Sequence, residues 1–446
     1  MKVPVWTRQD LTEDHWQRDP HGFPLYGFQN GINKEILAQS NLHNFDCHGD
    51  PYIAVGMTTL LAGLTFEFLS KTHDCKDKKY YYPIPWVPHH NDFELEDLIH
   101  IEPFHVKQMR EGNCKILIIN HMEGWNHNNF FKILIDFIIK RYHLNYSNFV
   151  ILSGNMDETS YGVPNVYYNW WEHHHAFTNE TDSVGREGQW HMTRTERKNR
   201  FICLNRRAHW HRIVLGTMLY PYRDKGILTL HKTTDNSDDL YNKNMKQLAL
   251  MLEAQDTGEL PDEISNFINN NRAIGKELPN DIMMQIAEIE PLLPIQLDEQ
   301  FDCNMDNPTM DPDTGKFYDS FLHIVSETYL DNGQTFFSEK VFKPVIYHQP
   351  FILIGAYKDL EAFRSLGYKT FDGIIDESYD TIELPGDRLM AAYREIVRII
   401  NLSDEEIAKL YLDCQDILFH NYWHWVYRQN IIPVNLKNDL WNKLHV

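Results

Sequence analysis

Short apolar runs alternate with amphipathic helical segments in this chain, and this pattern restricts the available folds more than any other feature. Around residue 115, the run KILIIN precedes a polar turn, the helical segment FFKILIDFIIKRYH and a second apolar run, NFVILSG. Short runs without polar alternation are typical of strands buried on both faces of a parallel sheet, with helices as the crossovers. The pattern therefore predicts a Rossmann-like α/β domain.

A second region of the chain repeats this pattern. The segment RFICLNRRAHWHRIVLGTMLYPYRDKGILTL predicts a strand over 200–204, a helix over about 209–220 and a strand over 227–230. Farther on, FLHIVSET and PFILIG predict two more strands, and a helix is expected over about 386–400. An acidic, helix-rich stretch over about 236–300 separates the two parts, and we interpret it as an insertion.

The length of the chain, 446 residues, exceeds the roughly 250–300 residues at which a single core stops growing. We therefore expect two Rossmann-like domains facing a central cleft, with a helical insertion and C-terminal helices. The predicted domains are an N-terminal Rossmann-like domain over 1–196, a C-terminal Rossmann-like domain over 197–400, and C-terminal helices over 401–446 that pack back on the body.

Composition disfavours several classes of protein. A formal net charge of −21 argues against binding along a nucleic-acid backbone, which generally requires a basic surface. Charged residues interrupt every apolar stretch well short of the ~18 residues of a membrane span, and the first residues show no signal-peptide pattern. Six widely spaced cysteines are typical of reduced thiols. We expect a cytoplasmic protein, in the host cytoplasm if it is viral, that does not contact membranes.

The segment FFSEKVFKPVIYHQPFILIG places lysines where a helix is expected to begin, after a serine suited to capping. Cations are unfavourable at a helix N-terminus unless an anion binds there, and phosphate is the natural candidate. Glu327, Ser338, Glu339 and Lys340 would then form a nucleotide-diphosphate site, with Arg206 or Arg207 as a second phosphate clamp. The alternative is an ordinary capped helix whose lysines lie on a solvated face.

Proline at position 344 complicates this interpretation, because it removes a backbone donor five residues into the expected helix. Either the helix is kinked there, or it begins later in the chain.

The C-terminal half resembles the fucosyltransferases in its nucleotide-binding segment. That family has a Phe-Glu-Asn-Ser block, a spacer, Thr-Glu-Lys, a helix and Val-Pro-Val-x-x-Gly. Glu327 matches the first Glu, Ser338, Glu339 and Lys340 match Thr-Glu-Lys, and Gly355 matches the last Gly. Thr328 replaces the usual Asn. The CLNRR and GYKTF blocks also resemble phage and bacterial proteins of glycosyltransferase type.

The resemblance implies two Rossmann-like domains of the GT-B type, with the acceptor bound by the first and a GDP- or UDP-sugar donor by the second. Glu339 would face the ribose, and Lys340 with Arg206 or Arg207 would face the diphosphate. It implies no obligatory metal, and the chain lacks zinc-type ligand spacing, a P-loop and a G-x-G-x-x-G motif.

We therefore expect an inverting glycosyltransferase that uses a glycan or other hydroxyl acceptor. A hydroxylated DNA base is the candidate acceptor if the protein is viral, although the net charge disfavours nucleic acid. Glu123 is the first candidate for the catalytic base, followed by Asp157 and Glu158, because each lies in a turn after a buried strand. The alternative function is a non-catalytic virion or surface protein that binds carbohydrate or nucleotide.

Overall fold

The computed structural model forms two compact units, unit 1 with Met1–Phe177 and Tyr427–Val446, and unit 2 with Thr178–Val426. The structure describes residues 2–6, 66–69, 71–85, 99, 101–120, 130–156, 162–169, 171–172, 196–205, 207–232, 238–257, 274–295, 315–328, 330 and 335–446.

The described strands, in chain order, are β1 Val3–Trp6, β2 Phe66–Leu69, β3 Tyr80–Pro85, β4 Cys114–Asn120, β5 Phe149–Ser153, β6 Asn165–Tyr167, β7 Asn199–Asn205, β8 Gly226–Leu230, β9 Ser320–Ser326 and β10 Phe351–Ile354. The described α-helices are α1 Pro103–Arg110, α2 Phe130–Tyr142, α3 Trp210–Leu219, α4 Asp238–Thr257, α5 Ile282–Ile289, α6 Gly315–Tyr318, α7 Glu339–Ile346, α8 Asp359–Ser365, α9 Pro385–Ile400, α10 Asp404–Asp413 and α11 Gln415–His445.

Unit 1 contains a six-stranded sheet with the order β2-β1-β3-β4-β5-β6, in which every pairing is parallel. Alternate residues of a strand face opposite sides, so β4 supplies Ile116 and Ile118 to one core and Leu117 and Ile119 to another. Apolar residues of α1 and α2 pack in the first core. The second core is completed by the C-terminal half of α11.

Polar contacts hold the end of α11 against this sheet. The Tyr81 hydroxyl donates to the backbone carbonyl of Leu440 at 2.8 Å. A guanidinium–carboxylate pair joins Arg428 to Glu172, with Nη2 at 2.8 Å from Oε2 and Nε donating to Oε1. Because the Glu172 side chain is fully buried and that of Arg428 is 15% exposed, this pair is shielded from water on both sides. The last residues of the chain therefore form part of unit 1.

Replacing Glu172 by Gln should lower the free energy of unfolding of unit 1 by roughly 3–5 kcal/mol, because the Arg428 charge stays buried without its partner. Urea unfolding measures this loss. Glu67→Gln is a matched control in the same unit, since its pair with Lys78 is largely exposed and should contribute no more than about 1 kcal/mol. Equal losses for the two variants would contradict a stabilising role for the buried pair.

Unit 2 contains a four-stranded parallel sheet with the order β10-β9-β7-β8. Helix α3 connects β7 to β8 and is buried along its whole length, as its sequence WHRIVLGTML favours. Helix α9 begins with Pro385 at its first turn and packs against α3, β7 and β10. The buried Arg388 guanidinium of α9 donates to the backbone carbonyls of Gly355 and Ile382 at 3.0 and 2.6 Å, which fixes the chain after β10.

These two sheets confirm the expected mixed α/β class with parallel strands. The predicted strands and helices of the C-terminal half agree with β7, β8, β9, β10, α3 and α9 to within two residues at each end. The sequence analysis did not identify β1, β2, β3 or β6. Among the described helices, none is both long and apolar enough to cross a membrane.

One buried histidine makes the stability of unit 2 sensitive to acid. His348 has a left-handed backbone (φ 52°), and its ring lies 4.6 Å from that of Tyr422. Burial, with the positive charge of Arg197 adding to it, lowers the pKa of His348 to about 4.

The unfolded chain, with a histidine pKa of about 6.5, therefore binds a proton that folded unit 2 excludes. We expect this residue to cost about 3 kcal/mol of stability as the pH falls from about 6.5 to about 4. His348→Asn tolerates the left-handed backbone and removes the titration. The unfolding free energy of this variant should fall less steeply with decreasing pH than that of the parent protein. In this window, the two slopes should differ by about 1.4 kcal/mol per pH unit. Parallel pH profiles would contradict the assignment.

Candidate functional site

The two central strands of the unit 2 sheet, β7 and β9, are followed by connections that leave in opposite directions. The chain passes from β7 through α3 to β8 on one side, and from β9 through α7 to β10 on the other. The place where the chain direction reverses in this way is a topological switch point. It opens a crevice at the carboxyl ends of the strands, where sheets of this kind bind ligands. The residues that follow β7 and β9 are therefore the candidates for a site.

Glu327, which directly follows β9, makes hydrogen bonds to both connections: its carboxylate to the start of α7, and its backbone carbonyl to α3. It is 1% exposed, and its carboxylate accepts hydrogen bonds from the Ser338 hydroxyl at 2.5 Å, the Ser338 amide at 3.2 Å and the Thr328 amide at 3.3 Å. Burial raises the pKa of Glu327, and Lys340 and Ser338 oppose that rise. Its side chain thus holds the start of α7 against the end of β9.

The start of α7 carries the predicted serine, glutamate and lysine. Ser338 is the N-cap, and its hydroxyl accepts from the Lys340 amide at 3.3 Å. The Lys340 ammonium lies 3.0 Å from that hydroxyl and 2.9 Å from the Glu339 carboxylate. Burial tends to raise the pKa of Glu339, but the charges of Lys340 and Lys343 outweigh it and lower that pKa to about 2. Glu339 is therefore ionised, and Lys340 remains 22% exposed.

Helix α7 begins where the cap predicts and continues past Pro344. The backbone amide of Tyr347 donates to the carbonyl of Lys343 at 2.9 Å, so helical hydrogen bonding resumes after the proline. Lys343 is 5% exposed, with its ammonium 5.9 Å from the centre of the Phe317 ring. The alternative of a solvated lysine face is therefore wrong for Lys343.

Helix α3 contacts the same strand end from the other side. The Arg212 guanidinium donates through Nη2 to the backbone carbonyls of Ser326 and Glu327, both at 3.0 Å. The His211 ring nitrogen Nε2 lies 3.0 Å from the Glu327 carbonyl. Burial lowers the pKa of Arg212 to about 10, against the opposing effect of Glu327, so the guanidinium remains charged at neutral pH.

Several buried polar atoms at these strand ends have no hydrogen-bond partner in the part of the chain that the structure describes. They are Asn205 Oδ1, His209 Nε2, Arg212 Nε and Ser326 Oγ. The register that pairs Ile202 with His323 places Asn205 level with Ser326. Arg212 donates to the Ser326 carbonyl, and His209 caps the helix that carries Arg212, so we refer to these four residues as the strand-end layer. Buried polar groups are almost always satisfied, and a group of unsatisfied ones in one place indicates a polar ligand or ordered water.

Positive charge is concentrated in the same layer. Burial lowers the pKa of His209 well below its ordinary value, and Arg212, His211, Arg207 and Lys340 each lower it further. Residues from the β7 turn, from α3 and from the start of α7 therefore act electrostatically on one imidazole. Arg207 is exposed, so its guanidinium is accessible to a ligand.

The structure thus brings together Arg207, Glu327, Ser338, Glu339 and Lys340 from the predicted set. The other predicted site residues lie outside the described residues; they are Arg206, Glu123, Asp157 and Glu158.

The sequence analysis missed Asn205, His209, His211 and Arg212. Their signal was polar side chains at a strand end and in the first turn of an otherwise apolar helix, where burial demands partners.

A separate open cleft of about 990 Å³ is lined by residues of α8, of α9 and of the turn between them. Both of its arginines are paired with carboxylates: Arg364 lies 3.1 Å from Glu377, and Arg398 lies 2.5 Å from Glu395. Because the cations of this cleft are already neutralised, the strand-end layer is the stronger candidate site.

Comparison of the chain with models of known protein families found no match, and comparison with curated proteins found none either.

Ser338→Ala should destabilise unit 2 by roughly 1–3 kcal/mol, because it removes both the helix cap and the hydroxyl donor to the buried Glu327 carboxylate. Ser338→Thr retains the hydroxyl and is the matched control. Chemical unfolding of the two variants measures the difference. If both variants unfolded at the same denaturant concentration as the parent protein, the hydroxyl would not be what joins α7 to β9.

Proposed function

We propose that the protein is a glycosyltransferase that binds a nucleotide-diphosphate sugar at the carboxyl edge of the unit 2 sheet. The observation that carries this proposal is the convergence of cations and unsatisfied buried polar atoms at the switch point between β7 and β9. A nucleotide diphosphate offers what this layer lacks, namely negative oxygens for the cations and hydroxyl groups for the acceptors.

The diphosphate would bind to Arg207, Arg212 and Lys340. Of these, Arg212 has an unsatisfied Nε donor. The Lys340 ammonium pairs with Glu339 in the absence of a ligand, and a phosphate, which carries more negative charge, would compete for that ammonium. Glu339, kept ionised by lysines, is suited to accept ribose hydroxyls, which agrees with the role that the fucosyltransferase resemblance implies. The unsatisfied Asn205 Oδ1 is a further acceptor for a hydroxyl.

In the proposed transfer, the acceptor oxygen forms a bond to the anomeric carbon of the sugar as the bond from that carbon to the diphosphate breaks. The cations stabilise the negative charge of the leaving diphosphate. The acceptor proton passes to a base, and the candidates remain Glu123, Asp157 and Glu158, which follow β4 and β5 in the sequence. A GT-B arrangement with an inverting, metal-independent mechanism, as the resemblance implies, would assign acceptor binding to unit 1.

Calorimetric titration with GDP, UDP and their sugars tests the donor site. We expect one nucleotide to bind, and Lys340→Ala to weaken it by roughly tenfold or more, because a charge-assisted hydrogen bond to phosphate is lost. Lys409→Ala is the control, since Lys409 is an exposed lysine of α10 that pairs with Asp413. Its affinity should equal that of the parent protein.

The absence of binding by any nucleotide, with folded protein, would overturn the proposed function. Nucleotide binding without hydrolysis or transfer from any donor sugar would favour the alternative of a binding protein that retains the fold.

A further inference from the structure

His209 lies at the junction between β7 and α3, where the charges of Arg207, Arg212 and Lys340 act on its imidazole. It is the N-cap residue of α3, with an extended backbone, and its carbonyl accepts from the amides of Arg212 and Ile213, both at 3.0 Å. Its side chain makes no capping hydrogen bond, and its ring stacks on that of His211 with centroids 5.8 Å apart. The imidazole is therefore not needed to begin the helix.

The Nε2 atom of His209 is buried and lacks a hydrogen-bond partner within the described residues. Two donors in the same layer share this condition, Nε of Arg212, which is 2% exposed, and Oγ of Ser326, which is 3% exposed. Unsatisfied donors beside a helix N-terminus match an anion, which can accept from all of them and also interacts favourably with the helix dipole.

Three cations act on the imidazole: Arg207 from the preceding turn, Arg212 from α3 and Lys340 from the start of α7. The neighbouring His211 of α3 is neutral near pH 7, because burial lowers its pKa to about 3.

The nearby carboxylates are already engaged. Glu327 accepts from Ser338 and Thr328, and Glu339 pairs with Lys340 at 2.9 Å. Without a ligand, the surroundings therefore keep the imidazole neutral. A bound anion would reverse the field at this position and favour the imidazolium.

We propose that His209 binds the anionic group of the substrate directly through Nε2, and that it takes up one proton from solvent as that group binds. The new N–H bond would donate to an anion oxygen, and no other bond changes. This inference rests on the proposed function in taking the anion to be the donor diphosphate.

Linkage fixes the direction of the pH effect. The bound state holds more protons than the free state between the pKa of His209 in the free protein and its pKa in the complex. Within that interval the affinity must rise as the pH falls, by about tenfold per pH unit at most. Outside it, the affinity no longer depends on this histidine.

The proton count can be measured by calorimetric titration of the whole protein with GDP and with inorganic pyrophosphate, in two buffers of different ionisation enthalpy at the same pH. We expect an uptake of about 0.5–1 proton per bound anion, relative to His209→Gln, near neutral pH. The glutamine keeps an amide donor but cannot be protonated, and the comparison cancels protons that the ligand itself gains or loses. His420→Gln is the control and should retain the proton uptake. His420 lies on α11, and its ring forms a hydrogen bond with the Gly367 carbonyl.

Each outcome decides the inference. GDP binding with equal proton counts for the parent protein and His209→Gln would overturn it and leave the proposed function standing. Pyrophosphate binding with uptake, but no binding of GDP or UDP, would support His209 as an anion ligand and overturn the nucleotide-sugar function. If neither GDP nor pyrophosphate bound, both would be wrong.

Discussion

The geometry of unit 2 depends on the hydrogen bonds made by the buried Glu327 carboxylate. A buried carboxylate is stable only when hydrogen bonds replace the water it has lost, and here the Ser338 hydroxyl and amide supply them. The Glu327 backbone carbonyl is held as well, by His211 and Arg212 of α3. One residue at a strand end therefore fixes the two helices that leave the sheet in opposite directions, and with them the width of the crevice.

This arrangement accounts for the lysine at the start of α7. Lys340 offsets the repulsion of the dipole by pairing with Glu339. Lys343 lies in the last turn of α7, where the dipole favours a cation, and is buried beside the Phe317 ring. Lys340 remains partly exposed in its pair with Glu339, whereas Lys343 is buried and inaccessible to a ligand. The two lysines that look equivalent in the sequence thus have different roles, because a helix turns by about 300° over three residues and directs them to different surroundings.

Sequence reasoning identified β7, β9 and the Ser338 cap because these features are local: continuous apolar runs and a serine before a helix. It missed Arg212, which is one of few polar residues in an apolar helix and gains its meaning from the carbonyls of a strand more than a hundred residues away. It also missed β1, a four-residue strand containing Pro4, since neither its length nor its composition distinguishes it from a turn. Nonlocal pairing, with β2 and β3, makes it a strand.

The same distinction separates the two halves of the candidate site. Glu339 and Lys340 sit on one short segment, so a motif can reveal them, whereas His209 joins them only through the parallel pairing of β7 with β9. An imidazole in this position differs from a fourth permanent cation, beside Arg207, Arg212 and Lys340, in one respect: it can remain neutral while the site is empty. A site lined by permanent cations alone would carry their mutual repulsion whenever no anion was bound. A histidine in this position adds positive charge only when the ligand is present to balance it. Several cationic groups can therefore lie next to a buried strand end without adding to this repulsion while the site is empty.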